Sequence, residues 1–450
     1  MIKKTIIFLL CFFGCVVSVG ASIFYIAPYG DDSNEGTQGK PFLTIMRAQH
    51  ALAAGDTVYL RGGVYSMSED QISSYTPPPA KAAYAHVIDI TKSGTPGNRI
   101  NYWAYPGEKP IFDFTNVNPP EFRISAFWVS ASWIHFKGFE VIGVQVNIKT
   151  ATQSESFSNV GSNNIYELLS MHDSQAIGYY LHDGSNNLVL NCDAYNNYDY
   201  TSADGLGGNT DGFGSRTPKG AVNNVFRGCR AWFNSDDGFD CIYSAEAVTY
   251  DNCWAFYNGY STSFTKLANG NGFKGGGWTF TEPALVPTPM PRMNIISCLA
   301  VKNKANGFYS NHHRGGSNWY NNTAYLNDVN YNMLNRLQDN SKGVPGYGHK
   351  MRNNLGYAGG REILNIDSLK SDVKNNYFNL PVTVTANDFV SLDLELLTAP
   401  RSADGSLPNN AFMKLKPTSD LIDKGEKIGI PYKGSAPDLG CFEGEYSIPD

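Results

Sequence analysis

Charge is scarce in this chain: only 17% of its 450 residues are Asp, Glu, Lys or Arg. Together with the dense Asn-Asn, Asn-Gly and Asp-Gly pairs, that scarcity weighs against extensive helix and for short strands joined by tight turns. An excess of basic residues is also missing. The net charge is −6, so the overall field repels a polyanion, and an acidic ligand needs a bound metal or local Lys and Arg to reverse that sign. Nucleic acid is not an expected partner. A long apolar run is missing as well. The one candidate, Ile6 to Val17, falls short of the roughly 20 residues that span a bilayer, which excludes a membrane helix there. Behind Lys3 and Lys4, and ahead of Ser18, Gly20 and Ala21, it reads as a signal peptide over residues 1–21. A mature chain from about Ser22, secreted or periplasmic, is the expectation, with a lipidated Cys15 as the alternative.

What is plentiful is glycine (45), tyrosine (27) and phenylalanine (25), and hydrophobic residues reach 42%, enough for a large core. The middle of the chain repeats. A Cys-x-Ala-x-x-Asn pattern occurs at Cys192/Ala194/Asn197, Cys229/Ala231/Asn234, Cys253/Ala255/Asn258 and Cys298/Ala300/Asn303, with a degenerate copy at Asn322/Ala324/Asn327. The spacing fits a unit of about 24 residues with insertions, the length of one coil of a parallel β-helix. Stacking at about 4.8 Å would turn the asparagines into a ladder and leave the small Cys and Ala to fill the inside of the turn. Four of the six cysteines beyond the signal, 192, 229, 253 and 298, are therefore expected as buried free thiols, with disulfides the minority alternative.

A second register runs beside the first. Gly178-Tyr179, Gly212-Phe213, Gly238-Phe239, Gly272-Phe273 and Gly307-Phe308 recur once per coil, which predicts an inward aromatic stack flanked by outward residues. Residues 22–450 then form a single all-β domain, a right-handed parallel β-helix, with a capping helix over about Leu43 to Ala54. Residues 66–95 and 279–291 read as Pro/Ser-rich loops, and 360–450 as final irregular coils. A monomer is expected.

Alignment on the Gly-aromatic pair puts Asp211 and Asp237 at one position in neighbouring coils, with Asp236 adjacent, and sets Asp240 level with Lys274. Carboxylates converging on one outer face repel one another, and a hard cation such as Ca²⁺ offsets that. Next to a uronate carboxylate, such a cation and a neutral Lys274 suit proton abstraction at C5 followed by loss of the C4 oxygen. Lys274 must lose its own proton first, so its pKa should fall.

The segments "NTDGF", "SDDGFD" and "NGNGFK", in that order, resemble polysaccharide lyase family 9, calcium-dependent β-helix enzymes acting on pectate or rhamnogalacturonan. The resemblance takes in essentially the whole mature chain, including "GDTVYLRGGVY". It implies an acidic, pectic plant cell-wall substrate, calcium ligands Asp211, Asp236, Asp237 and Asp240, and Lys274 as the base. The chain departs from the family at "NHHRGG", where His312, His313 and Arg314 stand in place of Asn-rich sequence. Arg314 could grip a uronate carboxylate, His313 could touch sugar or pack a turn, and Tyr309, one rung above Lys274, could be a sugar platform. The departure tilts the expected substrate slightly towards rhamnogalacturonan. A β-helix hydrolase is the rival, though its Gly-His-Gly and Arg-Ile-Lys segments are missing and it needs no metal. A non-catalytic glycan-binding or adhesin β-helix is the other.

Overall fold

The computed structural model describes residues 20–76, 83–278 and 281–444. The expected signal sequence and Cys15 lie outside the described residues, save Gly20 and Ala21. Three sheets of 12, 10 and 11 strands run the length of the chain, and a coil contributes one strand to each in turn. Asn224–Arg227, Arg230–Trp232 and Phe239–Asp240 make up one such coil. Neighbouring strands pair in parallel, apart from an antiparallel edge at Ser74–Tyr75 and a hairpin of Asn335–Arg336 with Gly343–Val344. The fold is the expected parallel β-helix.

Both repeats are columns of this stack. Ala194, Ala231, Ala255, Ala300 and Ala324 are register partners in consecutive strands of the second sheet. Asn197, Asn234, Asn258, Asn303 and Asn327 form an amide ladder, each Nδ2 donating to the next Oδ1 at 3.0 Å. The Asn-Asn pairs acquire a division of labour. The first residue, as in Asn186, Asn223, Asn321 and Asn353, takes the left-handed conformation that Asn tolerates and turns the chain. The second ladders: Asn187 donates to Asn224 at 3.1 Å, and Asn354 to Asn376 at 2.7 Å. All six cysteines among the described residues are free. Cys298 Sγ donates to Tyr250 O, and one coil on, Asn322 Nδ2 donates to the equivalent carbonyl of Ile295. Thiol and amide thus serve the same buried acceptor.

The aromatic register packs inward. Phe213, Phe239, Phe273 and Phe308 are fully buried, with ring centroids 4.8–5.2 Å apart and nearly coplanar. The glycine beside each ring is required by space, because the two repeats interlock there. A Cβ at Gly178 would lie 2.6 Å from Gly212 O and 2.8 Å from Ala194 Cβ; at Gly272, 2.6 Å from Gly307 O and 2.9 Å from Asn303 Nδ2.

Three boundaries differ from expectation. The capping helix is shorter, Ile45–Ala51, capped by Thr44 Oγ1 accepting from Arg47 N, because Asp56 takes the Ala53 and Ser22 amides and draws the chain into the next strand. Residues 66–95 are not one loop: Tyr84–Ile90 is the first parallel strand of the third sheet. The tail beyond Asn376 is laid over the outer face of the second sheet, where Arg401 pairs with Asp193 at 2.6 Å and Phe412 packs on Tyr325.

Replacing Gly178 by Ala should lower stability by about 1–3 kcal/mol, since the new methyl meets backbone on one side and the alanine column on the other. The denaturant midpoint reads this; an unchanged midpoint would mean that the coils give way freely.

Candidate functional site

Parallel pairing brings the acids and the lysine together on the outer face of the third sheet. Gly214, Asp240, Lys274 and Tyr309 are register partners in four consecutive strands, so Asp240 and Lys274 sit on adjacent rungs. Carboxylate oxygens of Asp211, Asp237 and Asp240 lie within 4.8 Å of one another. All three side chains are buried, as is Asp236. Lys274 Nζ stands 3.0 Å from Asp237 Oδ2 and 2.9 Å from Asp240 Oδ2.

The remaining oxygens are held by the fold. Asp237 Oδ1 accepts from both Asn271 N and Asn271 Nδ2 at 2.7 Å, and Asn306 Nδ2 braces Asn271 Oδ1 from the following coil. Asp240 Oδ1 accepts from Ile242 N, and Asp211 Oδ1 from Asp237 N. Asp236 differs from the other three. Its two oxygens accept from Asn209 N and Asn269 N, tying two insertions to the site, and it is not in the group of three.

The electrostatics show more negative charge than the site can satisfy. Burial, then Asp236, Asp240 and Asp237, push the Asp211 carboxyl well above its ordinary range. Burial and Asp237 raise Asp236 to about 6. For Lys274, burial works to lower the pKa, but Asp237, Asp240, Asp236 and Asp211 outweigh it, and the ammonium is held well above 10.5. The expected fall is thus reversed in the protein alone, because Lys274 is itself the counter-ion of the cluster. An all-oxygen, buried, over-charged set of carboxylates fits a hard divalent cation. Such a charge would take over the role of counter-ion and drive the amine's pKa down.

A cavity of about 260 Å³ joins these groups to Gln153, Tyr180 and Arg216, residues from five successive coils. Arg216 was missed by the sequence reading. It follows Gly214 by two residues and so faces outward by strand alternation; its exposed guanidinium lies 5.0 Å over the Tyr243 ring. A larger cavity, about 530 Å³ beside the capping helix, is mostly aliphatic, with one carboxylate, Asp70, and no amine.

The chain matches the Pel9A-like, right-handed β-helix region over residues 24–354. It is 34% identical over 426 residues to pectate lyase L of Dickeya chrysanthemi, covering 94% of this chain and 90% of that one. Pectate lyase PEL9 of Emericella nidulans is 28% identical over 451 residues, 93% of this chain and 97% of its own. Among solved structures, a rhamnogalacturonan lyase superposes with a TM-score of 0.85 at 42% identity, covering 88% of this chain and 97% of that one. The crystal structure of pectate lyase Pel9A gives 0.73 at 33%, with 94% and 96% covered.

Three expected substrate contacts fall differently. Tyr309 is half-buried beside Lys274, with the His312 ring edge-on at 6.0 Å. Arg314 is not on the acid-lysine cavity: it is 7% exposed, donates to Gln338 O, and lines a separate cavity of about 320 Å³ with Met290 and Gly315. His313 is fully buried, with Nδ1 accepting from Gly277 N at 3.2 Å and Nε2 donating to Pro291 O at 2.7 Å. Neither nitrogen is left for sugar or metal, so the sugar-contact reading of His313 is withdrawn and its turn-packing alternative holds. His349 is similar, Nδ1 accepting from Ser317 N and Trp319 Nε1.

Burial keeps both imidazoles neutral, His313 at about 4 and His349 at about 3. Below pH 6.5 the unfolded chain protonates them and the folded chain does not, so stability present above 6.5 is lost as pH falls. Between 6.5 and 4 each should contribute a slope of about 1.4 kcal/mol per pH unit. His349→Asn should flatten the pH dependence of unfolding by about that amount; an unaltered slope would show that His349 is charged in the fold.

Proposed function

Because the chain belongs to the Pel9A-like, right-handed β-helix family, we propose that it is a lyase cleaving the galacturonate-containing backbone of pectin by β-elimination. Lys274 is the base, and Asp211, Asp236, Asp237 and Asp240 hold a calcium ion. The observation that carries this reading is the adjacency of Asp240 and Lys274 on neighbouring rungs, with the amine 2.9 Å from the carboxylate inside a long cavity. An amine fixed so closely to the acid cluster reaches the carbon next to a carboxylate bound there. When bound, calcium supplies positive charge against that carboxylate, which acidifies the C5 hydrogen and favours the neutral form of the neighbouring amine.

The chain's own groups do the rest. Lys274 Nζ takes the C5 proton, the C5–H electron pair forms the C4–C5 double bond, and the C4–O bond breaks to release the leaving chain. The Asn306–Asn271–Asp237 hydrogen bonds fix Asp237, and thereby the amine, against the face of the sheet. Arg216 takes the carboxylate-gripping role first given to Arg314, since it opens onto the same cavity. Tyr309 borders the substrate on the rung beyond Lys274. The acid oxygens, within 4.8 Å of one another, stand closer than the roughly 6.5–9.5 Å of an inverting hydrolase's pair.

Rhamnogalacturonan is the favoured polymer over homogalacturonan. The "NHHRGG" segment no longer supports that choice, as His313 and Arg314 lie off the cavity; the 42% identity to a rhamnogalacturonan lyase, against 33% and 34% to pectate lyases, does. Secretion fits a cell-wall substrate, and among the described residues no helix is long and apolar enough to cross a membrane.

Lys274→Ala should cut kcat by about 10²–10⁴-fold, read as the ultraviolet absorbance of the unsaturated sugar end released from either polymer. Full turnover in that variant, or saturated ends from the wild type, would falsify the reading. A chelator should abolish turnover and added calcium restore it; activity that persists through chelation removes the metal from the proposal.

A further inference from the structure

The cavity does not stop at the acids. It runs back along the third sheet through Tyr180 to Gln153, and its N-terminal end is built from a different chemistry. Tyr180, 8% exposed and on the cavity wall, turns the Cδ2–Cε2 edge of its ring towards the neighbouring strand, where a Cβ at Gly214 would be 2.4 Å and 2.7 Å from those atoms. Gly214 does not have a positive φ, so the glycine makes room for the ring. Next to it stands His182, 4.5 Å from the Tyr180 ring centre, and then Trp128, 6.0 Å from His182. Trp128, Ser158, Tyr180, Gly214 and Asp240 are successive register partners, so Trp128 and Tyr180 share the outward column of the acid-lysine site, and His182, two residues past Tyr180, stands in the column beside it.

His182 is held in place. Its Nε2 donates at 2.7 Å to Glu155, a carboxylate with no solvent exposure that also accepts from Tyr84 Oη at 2.8 Å and from Ser158. The His182 side chain is nevertheless 28% exposed, and its other nitrogen has no protein partner among the described residues. A buried carboxylate orienting a partly exposed imidazole beside a tyrosine on the cavity wall is more than strand packing needs. Aromatic faces stack on the apolar faces of pyranose rings, while a fixed ring nitrogen meets a hydroxyl.

We infer that Tyr180, His182 and Trp128 form a remote sugar-binding subsite, which holds a pyranose ring of the bound polymer through stacking and hydroxyl contacts and not through its carboxylate. Trp128 lies four rungs from Asp240, roughly 19 Å, the span of roughly four linked pyranose rings. Only a substrate long enough to reach from Lys274 feels it. The identity of the occupant rests on the lyase reading; the site itself does not.

The test is substrate-length dependence in the calcium-loaded enzyme, using galacturonate and rhamnose-galacturonate octasaccharides beside the shortest oligosaccharide turned over. His182→Ala, which removes a partly exposed ring, should raise KM for the octasaccharide about tenfold with kcat within about twofold, and leave the short substrate's KM unchanged. Tyr180→Ala should do the same, and Tyr180→Phe, which keeps the ring, should restore the octasaccharide KM. Equal losses at both lengths, a fall in kcat alone, or an unmoved octasaccharide KM would each overturn the subsite. Should the wild type release no unsaturated product from either polymer, the lyase reading fails separately. Calorimetric binding of the octasaccharides to wild type and His182→Ala then decides the subsite, with equal affinities rejecting it.

Discussion

Parallel register at about 4.8 Å per rung is the constraint on which everything else depends, because it sets each side chain directly over its equivalent in the next coil. Where equivalents attract, the fold gains. Amides donate to amides along Asn197 to Asn327, and phenyl rings stack from Phe213 to Phe308. Where equivalents repel, the same geometry stores unfavourable charge. Asp211 and Asp237 occupy one such position, and their carboxyls hold each other's negative charge in a buried setting. A globular fold could turn one side chain aside, whereas a coil locked by glycine and asparagine columns on either side cannot. The acid cluster is thus a consequence of the scaffold, and only a cation relieves it.

The same crowding of charge binds Lys274 firmly in the protein alone. Among the described residues it is the sole ammonium in contact with the cluster, and its charged form is favoured by the acids as theirs is by it. An ammonium cannot act as a base. The acids thus hold Lys274 protonated, and a dication at the proposed site would replace it as counter-ion and favour the neutral amine.

Much of this was legible in the sequence because stacking demands sameness. Identical residues at Asn197, Asn234 and Asn258, or glycine before each of four phenylalanines, are visible without coordinates, and aligning them put Asp240 level with Lys274. What lacked repetition was hidden. Before residue 190 the cysteine position is filled by Phe139 and Leu169, and the alanine position by Val141 and Met171, which pack as well but share no letter with the later coils. His313 and Arg314 sit in a connection whose path depends on the insertion at 279–291, so neither burial nor direction followed from spacing. Arg216 is legible in principle, since strand alternation from Gly214 points it outward, but it carries no repeat of its own to mark it.

The three faces of the helix differ in what covers them, and that decides where a long ligand can lie. The C-terminal tail closes the outer face of the second sheet through Arg230, which donates to Ala399 O, and through packing on Tyr325, Tyr357 and Trp254. The third sheet keeps a groove, with Arg216 and Lys274 the cationic groups on its wall. A chain of net charge −6 repels a polyuronide at long range, so capture depends on what the groove offers at contact. The Arg216 guanidinium, a dication held by the acids as proposed and the uncharged ring of Tyr180, set on adjoining outward columns, would give a polyanion both its charge contacts and a stretch that asks for none. Rigid rungs make that spacing a fixed ruler, which is the property a polymer-cleaving site requires of its scaffold.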